Sequence, residues 1–283
     1  MPELPEVQAH CERLTVDFAG AEVAKFVPIS FSALKTAVPS PSDAVGHTVS
    51  GFTRRGKFLI MGIDGAGPQP LSFVIHLMQG GRLVPDEKQS AKPRNGMARW
   101  VFADGRALLL TEAGKERKAG IWVIAGDPLE QAPILGLGID ADVATIEQLT
   151  AALQAKNQRL HGFLRDQHGI AGLGRMLANE ICHTAKLSPF AMTKKLTPDE
   201  IESLHAAIAT CVASALEFER GMDRMSRSAE RPGSVHHRSG NDCPVCGDTI
   251  RAVEYSAYEV DYCPTCQTGG KVLADNTTSK FLK

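Results

Sequence analysis

Four cysteines near the C-terminus, Cys243, Cys246, Cys263 and Cys266, fall as CPVC and CPTC with sixteen residues between the pairs. Each pair makes a tight knuckle that aims two thiolates at one tetrahedral Zn²⁺. The intervening RAVEYSAYEVDY alternates as a short hairpin does. The spacing therefore predicts a structural zinc ribbon. The competing reading, two redox CxxC pairs, lacks the strand-helix context such motifs need. Four protein ligands leave no open coordination position, so this zinc builds structure and does not activate water. Cys11, Cys182 and Cys211 are scattered through helix-like segments and are expected to be small buried hydrophobes.

The other 240 or so residues have to supply the fold, and 283 residues in all are enough for two domains of usual size. No apolar run approaches the roughly 18 residues of a membrane span. The start, MPELPEVQAH, is acidic where a secretory signal is basic and then apolar, so a cytoplasmic protein with no membrane partner is expected. Lys plus Arg total 31 against 32 for Asp plus Glu. The halves are equally balanced, with 15 basic against 17 acidic up to residue 150 and 16 against 15 after it. No basic tail announces a polyanionic partner, and any contact with nucleic acid has to come from local patches.

Residues 5 to 14 carry Val7, Cys11 and Leu14 at helical spacing, with Pro5 and Glu6 in the first turn. From about 20 to 126, short apolar or alternating runs (FLIMGI, LSFVIHL, ARWVF, GIWVI) are punctuated by Gly, Pro and Asp, the pattern of a strand-rich domain. DPLEQAPILGLGID reads as a linker. Its Gly136-x-Gly138-x-x-Ala141 imitates a dinucleotide fingerprint without the strand that should precede one. Three helical stripes follow: Leu149, Leu153, Leu160 and Leu164; then Leu177, Ile181 and Ala185; then Ile201, Leu204, Ile208, Val212 and Leu216, entered through the capping box Thr197-Pro198-Asp199-Glu200. All three read as core.

Two loops remain as candidates for function. Gly169-Ile170-Ala171-Gly172-Leu173-Gly174 precedes a helix and is either a phosphate-holding turn or a plain glycine turn. Arg220 to Arg238 holds five arginines against Asp223 and Glu230, with His236 and His237 adjacent; it is either a solvated mobile loop or a phosphate-contacting one.

Five blocks in order, PELPEV (2–7), RRGKFL (54–59), HLMQGG (76–81), LRDQHGIAGLGRMLANEI (164–181) and VHHRSGNDCPVCG through YCPTCQ (235–267), resemble the formamidopyrimidine-DNA glycosylase and endonuclease VIII family of base-excision repair enzymes. The resemblance implies an α+β multidomain chain. It has an N-terminal helix and β-sandwich (1–128), a linker (129–145), a helix-two-turn-helix domain (146–234), a zinc finger (235–270) and a tail (271–283). It also implies a monomer acting on damaged double-stranded DNA at the bacterial nucleoid.

The chemistry implied by the resemblance starts at Pro2. Once Met1 is removed, its secondary amine keeps a useful neutral fraction and attacks C1′ of a damaged nucleoside. Loss of the base leaves an iminium, which acidifies the C2′ proton so that the 3′ phosphate departs by β-elimination, with δ-elimination possible afterwards. Glu3 is implied as general acid or base, and Glu6 is either a second carboxylate or a helix-dipole partner. Lys57 is implied as the lysine that grips phosphate and assists elimination. His76 is either a phosphate-side residue or a buried histidine. Gly172, Gly174, Arg175 and Arg238 are implied as DNA contacts.

The chain departs from the family pattern at several positions. Arg175 stands where an asparagine is usual, Tyr258 stands where the finger hairpin usually has an arginine, and TEAGKERKAG replaces the turn that supplies an arginine and an aromatic wedge. Arg251 is a candidate substitute for the missing hairpin arginine, Arg117 and neighbouring lysines for DNA contacts, and Met78 or Gln79 for the wedge. These losses bear on lesion choice and keep a second reading open, a damage-recognising DNA-binding protein with mainly abasic-site lyase or no glycosylase activity.

Overall fold

The computed structural model describes residues 1–65, 69–114, 116–227, 230–255 and 258–273. Lys115 in TEAGKERKAG and residues 274–283 of the tail lie outside the described residues. The chain divides into two compact units, Met1–Gly136 with Glu219–Met225, and Leu137–Phe218 with Ser226–Lys283.

In the first unit, helix α1 (Leu4–Phe18) begins at a reciprocal capping box. Glu6 accepts the Glu3 N–H, and Glu3 accepts the amide of Glu6. Leu4, Val7, Cys11, Leu14 and Phe18 form its buried stripe. Eight strands follow: β1 (Val23–Pro28), β2 (Thr48–Arg55), β3 (Phe58–Asp64), β4 (Leu71–His76), β5 (Gly81–Pro85), β6 (Gly96–Phe102), β7 (Ala107–Glu112) and β8 (Gly120–Ala125). They form two antiparallel sheets of order β1-β6-β7-β5 and β2-β3-β4-β8. Phe26, Trp100 and Leu108 of one sheet share a core with Leu59, Phe73 and Ile121 of the other, the arrangement of a β-sandwich.

Helix α1 does more than cover this core. Beyond Thr48 and Val49, which meet residues 20–22, the outer side of edge strand β2 has no strand partner among the described residues, and α1 satisfies it from successive turns: Thr15 Oγ1 both accepts the Phe52 N–H (2.9 Å) and donates to the Phe52 carbonyl (3.2 Å). One turn earlier the Cys11 thiol donates to the Thr53 carbonyl, and Gln8 accepts from Arg54 Nε. Cys11 is thus buried as expected, but it also makes a bond; burial pushes its pKa up to about 12, so the thiol is inert.

In the second unit the first leucine stripe is split between two helices, α2 (Ile146–Ala155) and α3 (Leu160–Arg165). A single helix through both was not to be had, because residues 156–159 turn in extended geometry. The short parallel pair β9 (Ile139–Asp140) and β10 (Ile170–Ala171) brackets them. Gly138, the second glycine of the false dinucleotide motif, is required by packing: a Cβ there would lie 2.4 Å from the Gly169 carbonyl oxygen.

Helix α4 (Arg175–Thr184) and helix α5 (Pro198–Arg220) come next, α5 entered through the Thr197/Glu200 box. Among the described helices α5 alone is long and apolar enough to resemble a membrane span. Its Ile201, Leu204, Ile208 and Val212 are nevertheless buried on one stripe, which marks a core helix. Hairpin β11 (Arg251–Tyr255)–β12 (Tyr258–Tyr262) and the short α6 (Pro264–Thr268) complete the unit. The finger shares this unit with the helices because the Glu180 carboxylate accepts the backbone N–H groups of Ser234, Val235 and His236, and Gln267 donates to the Leu187 carbonyl.

The two faces of α1 give a direct check. Leu14 is 1% exposed and Val16 86%, so Leu14→Ala should cost about 2–5 kcal/mol and Val16→Ala within about 0.5 kcal/mol in urea unfolding of the same protein. Equal effects would show that α1 is not docked as described.

Candidate functional site

The start of the chain is buried rather than frayed. Pro2, Glu3 and Glu6 are buried, Met1 is exposed, and Lys57 is only 7% exposed. Burial lowers the pKa of the terminal amine, Glu3 and Glu6 push it back up, and Arg82 and Lys57 lower it again. These charges therefore act on one point in space, the amine end of the chain. Both carboxylates serve in the reciprocal helix cap, so the structural role of Glu6 is explicit, and Glu3 is in addition the carboxylate adjoining Pro2.

Lys57 arrives there through turn chemistry. Arg55 pairs with Phe58, leaving Gly56-Lys57 as a two-residue hairpin turn in which Gly56 takes φ 56°. A positive φ at the first central position favours glycine, so the RRGK motif places Lys57 at a sharp corner between β2 and β3.

His76 ends β4 opposite Phe58, and the two rings meet edge-on at 4.6 Å. Its Nδ1 accepts the Met78 N–H at 3.0 Å, which leaves the proton on Nε2. Burial, and then Lys57, push its pKa down to about 4, so it is a neutral N–H donor at pH 7. In the same turn Met78 is half-buried with φ 51°, and Gln79 is the exposed side chain.

Arg82 belongs to this group although no sequence motif marks it. It follows HLMQGG by one position, and only the pairing of β5 with β7 swings it toward the amine end.

Of the remaining candidates, the glycine turn, Arg231 and Arg238 lie in the other unit and Arg220 in the first. The Gly172 N–H donates to Gln167 Oε1, and Gln167 Nε2 donates to the Leu173 and Arg165 carbonyls. Gly172 and Gly174 are buried, so the turn is braced by its own glutamine and Arg175 is its exposed member. The arginine-rich segment is not a simple solvated loop. Arg220 pairs with Glu12 at 2.6 Å, Arg231 is buried, and Arg238 donates to the Gly233 and Asp242 carbonyls.

Arg251 does not replace the missing hairpin arginine. It pairs with Tyr262, whereas Tyr258 pairs with Tyr255, so four residues, about 13 Å of strand, separate the two positions. Lys118 pairs with Glu116 at the surface, and no aromatic side chain occurs in TEAGKERKAG.

Cys243, Cys246, Cys263 and Cys266 bring their sulfurs within 4.8 Å of one another. Cys246 and Cys263 are 3.3 Å apart, and Cys243 and Cys266 3.9 Å. A tetrahedral zinc with Zn–S bonds of about 2.3 Å needs S···S of about 3.8 Å, so the four thiolates fit one structural zinc. His183 Nε2 lies 3.4 Å from Cys243 Sγ, close enough to hold that sulfur in place.

Three family descriptions match in order: Formamidopyrimidine-DNA glycosylase N-terminal domain over residues 1–121, Formamidopyrimidine-DNA glycosylase H2TH domain over 135–226, and Transcription factor zinc-finger over 242–267. An uncharacterized formamidopyrimidine-DNA glycosylase-like protein of Mycobacterium tuberculosis is 41% identical over 162 residues, which are 56% of this chain and all of that protein. The formamidopyrimidine-DNA glycosylase of Chloroflexus aurantiacus is 28% identical over 94% of this chain and 98% of its own length. Among solved structures, the Lactococcus lactis formamidopyrimidine-DNA glycosylase bound non-covalently to DNA containing an abasic site superposes with a TM-score of 0.82 at 21% identity, over 94% of this chain and 99% of that one. At that identity the likeness is one of fold.

Two measurements follow from this geometry. His10, His76 and His161 are held neutral mainly by burial, with pKa values of about 4, 4 and 3. Each has a folded pKa below the unfolded value of about 6.5, so the unfolded chain binds more protons between the two. Stability should fall as pH drops through 6.5 toward 4, by about 2 kcal/mol per histidine at pH 5; a midpoint flat from pH 7 to 5 would contradict the buried neutral rings. Metal analysis should also find one zinc per chain, and Cys246→Ser or chelation should lower the melting temperature with loss of that zinc.

Proposed function

Because the chain belongs to the formamidopyrimidine-DNA glycosylase family, we propose that it is a DNA glycosylase of base-excision repair that also nicks the abasic site through a Schiff base on Pro2. The observation that carries this reading is the convergence of Glu3, Lys57 and Arg82 on the amine end of a helix that is itself fixed to a sheet edge. The partner is damaged double-stranded DNA, the chain acts as a monomer, and its working place is the bacterial cytoplasm at the nucleoid. Residues 1–128 carry the chemistry, 129–145 link, and 146–234 with the finger at 235–270 hold the duplex.

Removal of Met1 frees a secondary amine. A neutral amine is the nucleophile, and one residue upstream burial lowers the pKa of the Met1 amine. Attack on C1′ expels the damaged base with a proton supplied to the leaving side, and Glu3 is the carboxyl placed to handle that proton. The C1′–O4′ bond then breaks, O4′ taking the proton that the nitrogen gives up, which opens the sugar and leaves the iminium; this accepts the electron pair released when the C2′ proton is lost, and the 3′ phosphate leaves. Lys57 at its turn stabilises phosphate charge there, and His76 donates from Nε2 as a neutral group. Arg175 is the exposed cation of the glycine turn, Gly172 and Gly174 shape the backbone around it, and Arg238 braces the approach to the finger through the Gly233 and Asp242 carbonyls. The zinc holds the finger and takes no part in bond making.

Borohydride trapping on abasic-site DNA tests the reading. The processed protein should give a covalent adduct that is lost in Pro2→Gly, while Lys57→Ala should slow strand nicking about 100-fold, the scale of one positioned electrostatic group. Intact mass of the active protein should show Met1 removed. Full lyase activity with Met1 retained, or no adduct from a correctly processed chain, would overturn the mechanism. A cleavage panel of oxidised-purine, oxidised-pyrimidine and abasic duplexes separates glycosylase from lyase, and nicking confined to the abasic duplex would favour the mainly abasic-site reading.

A further inference from the structure

On one face of the β11–β12 hairpin, Tyr255 and Tyr258 stack with ring centroids 4.7 Å apart and planes 11° from parallel. Three arginines from the helices gather on this pair. Arg165, at the end of α3, centres its guanidinium 4.4 Å from the Tyr258 ring, and Arg175, the first residue of α4, centres its own at 5.2 Å. Arg159, the N-cap of α3, donates to the Tyr255 hydroxyl at 3.0 Å. Arg159 and Arg165 form no ion pair among the described residues. The hairpin's acidic pair, Glu254 and Glu259, are cross-strand partners one position along; they line a pocket together with Arg175, Tyr255 and Tyr258, and Glu259 is engaged by His237 at 2.6 Å.

Three like charges brought together cost energy unless something offsets their repulsion. For Arg165 and Arg175 the negative face of the Tyr258 ring does so, and Arg159, bonded to the Tyr255 hydroxyl, lies 5.2 Å over the Phe190 ring. A guanidinium lying against a ring still directs N–H groups outward from its edge, and those groups suit the paired oxygens of a phosphate. Fixing long side chains beforehand also removes entropy that binding would otherwise cost. The positive end of the α4 dipole, at Arg175, adds to the same potential.

We propose that Tyr258, supported by Tyr255, is a positioning residue that holds Arg159, Arg165 and Arg175 as a grip on the phosphates of duplex DNA. The proposal rests on the reading that DNA is the partner, and extends it by assigning Arg159, Arg165 and the two tyrosines. It also accounts for how a hairpin with no basic residue at position 258 retains a positive face, since the charge comes from the helices and the finger supplies the platform.

The test is anisotropy of the zinc-loaded full chain on undamaged duplex and on duplex carrying a tetrahydrofuran abasic analogue, over a range of salt. Arg165→Gln and Arg175→Gln should each lower the slope of log K against log salt by about 0.9, the value for one lost phosphate contact. Tyr258→Phe keeps the ring and should bind within about twofold of the parent, whereas Tyr258→Leu should bind roughly three- to tenfold more weakly. In the Arg165→Gln/Arg175→Gln background, Tyr258→Leu should have no further effect, which a merely structural tyrosine would not satisfy.

Unchanged slopes in both arginine variants would overturn the grip. Loss on Tyr258→Phe equal to that on Tyr258→Leu would overturn the platform and point to a direct hydroxyl contact. If Tyr258→Leu sheds zinc, Tyr258→Phe and the two slopes decide the matter. Normal borohydride trapping with unchanged slopes removes this proposal alone, and absence of trapping with reduced slopes removes the repair chemistry alone.

Discussion

The docking of α1 along the open edge of β2 is the constraint on which the proposed chemistry depends. An edge strand exposes backbone groups that must be bonded or covered, and Thr15 satisfies both polar groups of Phe52 while Cys11 and Gln8 extend the contact along the strand. The apolar stripe from Leu4 to Phe18 then seals the helix onto the sandwich core. A chain terminus is ordinarily the most mobile part of a domain. Here it is held from three residues away, and the side chains around the terminal amine inherit that rigidity.

From this fixed point the rest of the first site is a matter of corners. The Gly56 turn presents Lys57, the turn after β4 pins the His76 tautomer through Met78, and β5 carries Arg82. No single element supplies the site. It is assembled from a helix start, a hairpin turn and two strand ends, whose relative placement is set by the two sheets and their shared core.

In the second unit the corresponding fixed point is Glu180, whose carboxylate gathers three consecutive backbone amides at the approach to the finger. Next to it, Asn179 donates to the buried carboxylate of Asp261 and lies 2.9 Å from His236 Nδ1. Helix and finger are thereby joined by polar groups rather than by a large apolar interface. The finger has a small core of its own, in which Val235, Ile250, Cys243 and Cys263 meet, and the zinc compensates for that small size.

The zinc ligands, the strand-rich and helical stretches, the α5 capping box and the blocks that identify the family are legible in the order of residues alone. These are local signals, carried by spacing, by periodicity or by a residue whose backbone geometry is fixed. That order did not determine which arginines are spoken for. Arg220, Arg231 and Arg238 look alike in a string of letters, yet one is ion-paired, one buried and one bonded to carbonyls, because long side chains reach partners far away in sequence. Nor could it show that Arg82 faces the amine end, that Gln167 occupies the Gly172 amide, or that Tyr258 collects Arg165 and Arg175. Each of these depends on strand pairing or helix packing between distant segments, and a contact of that kind leaves no period in the sequence for a reader to find.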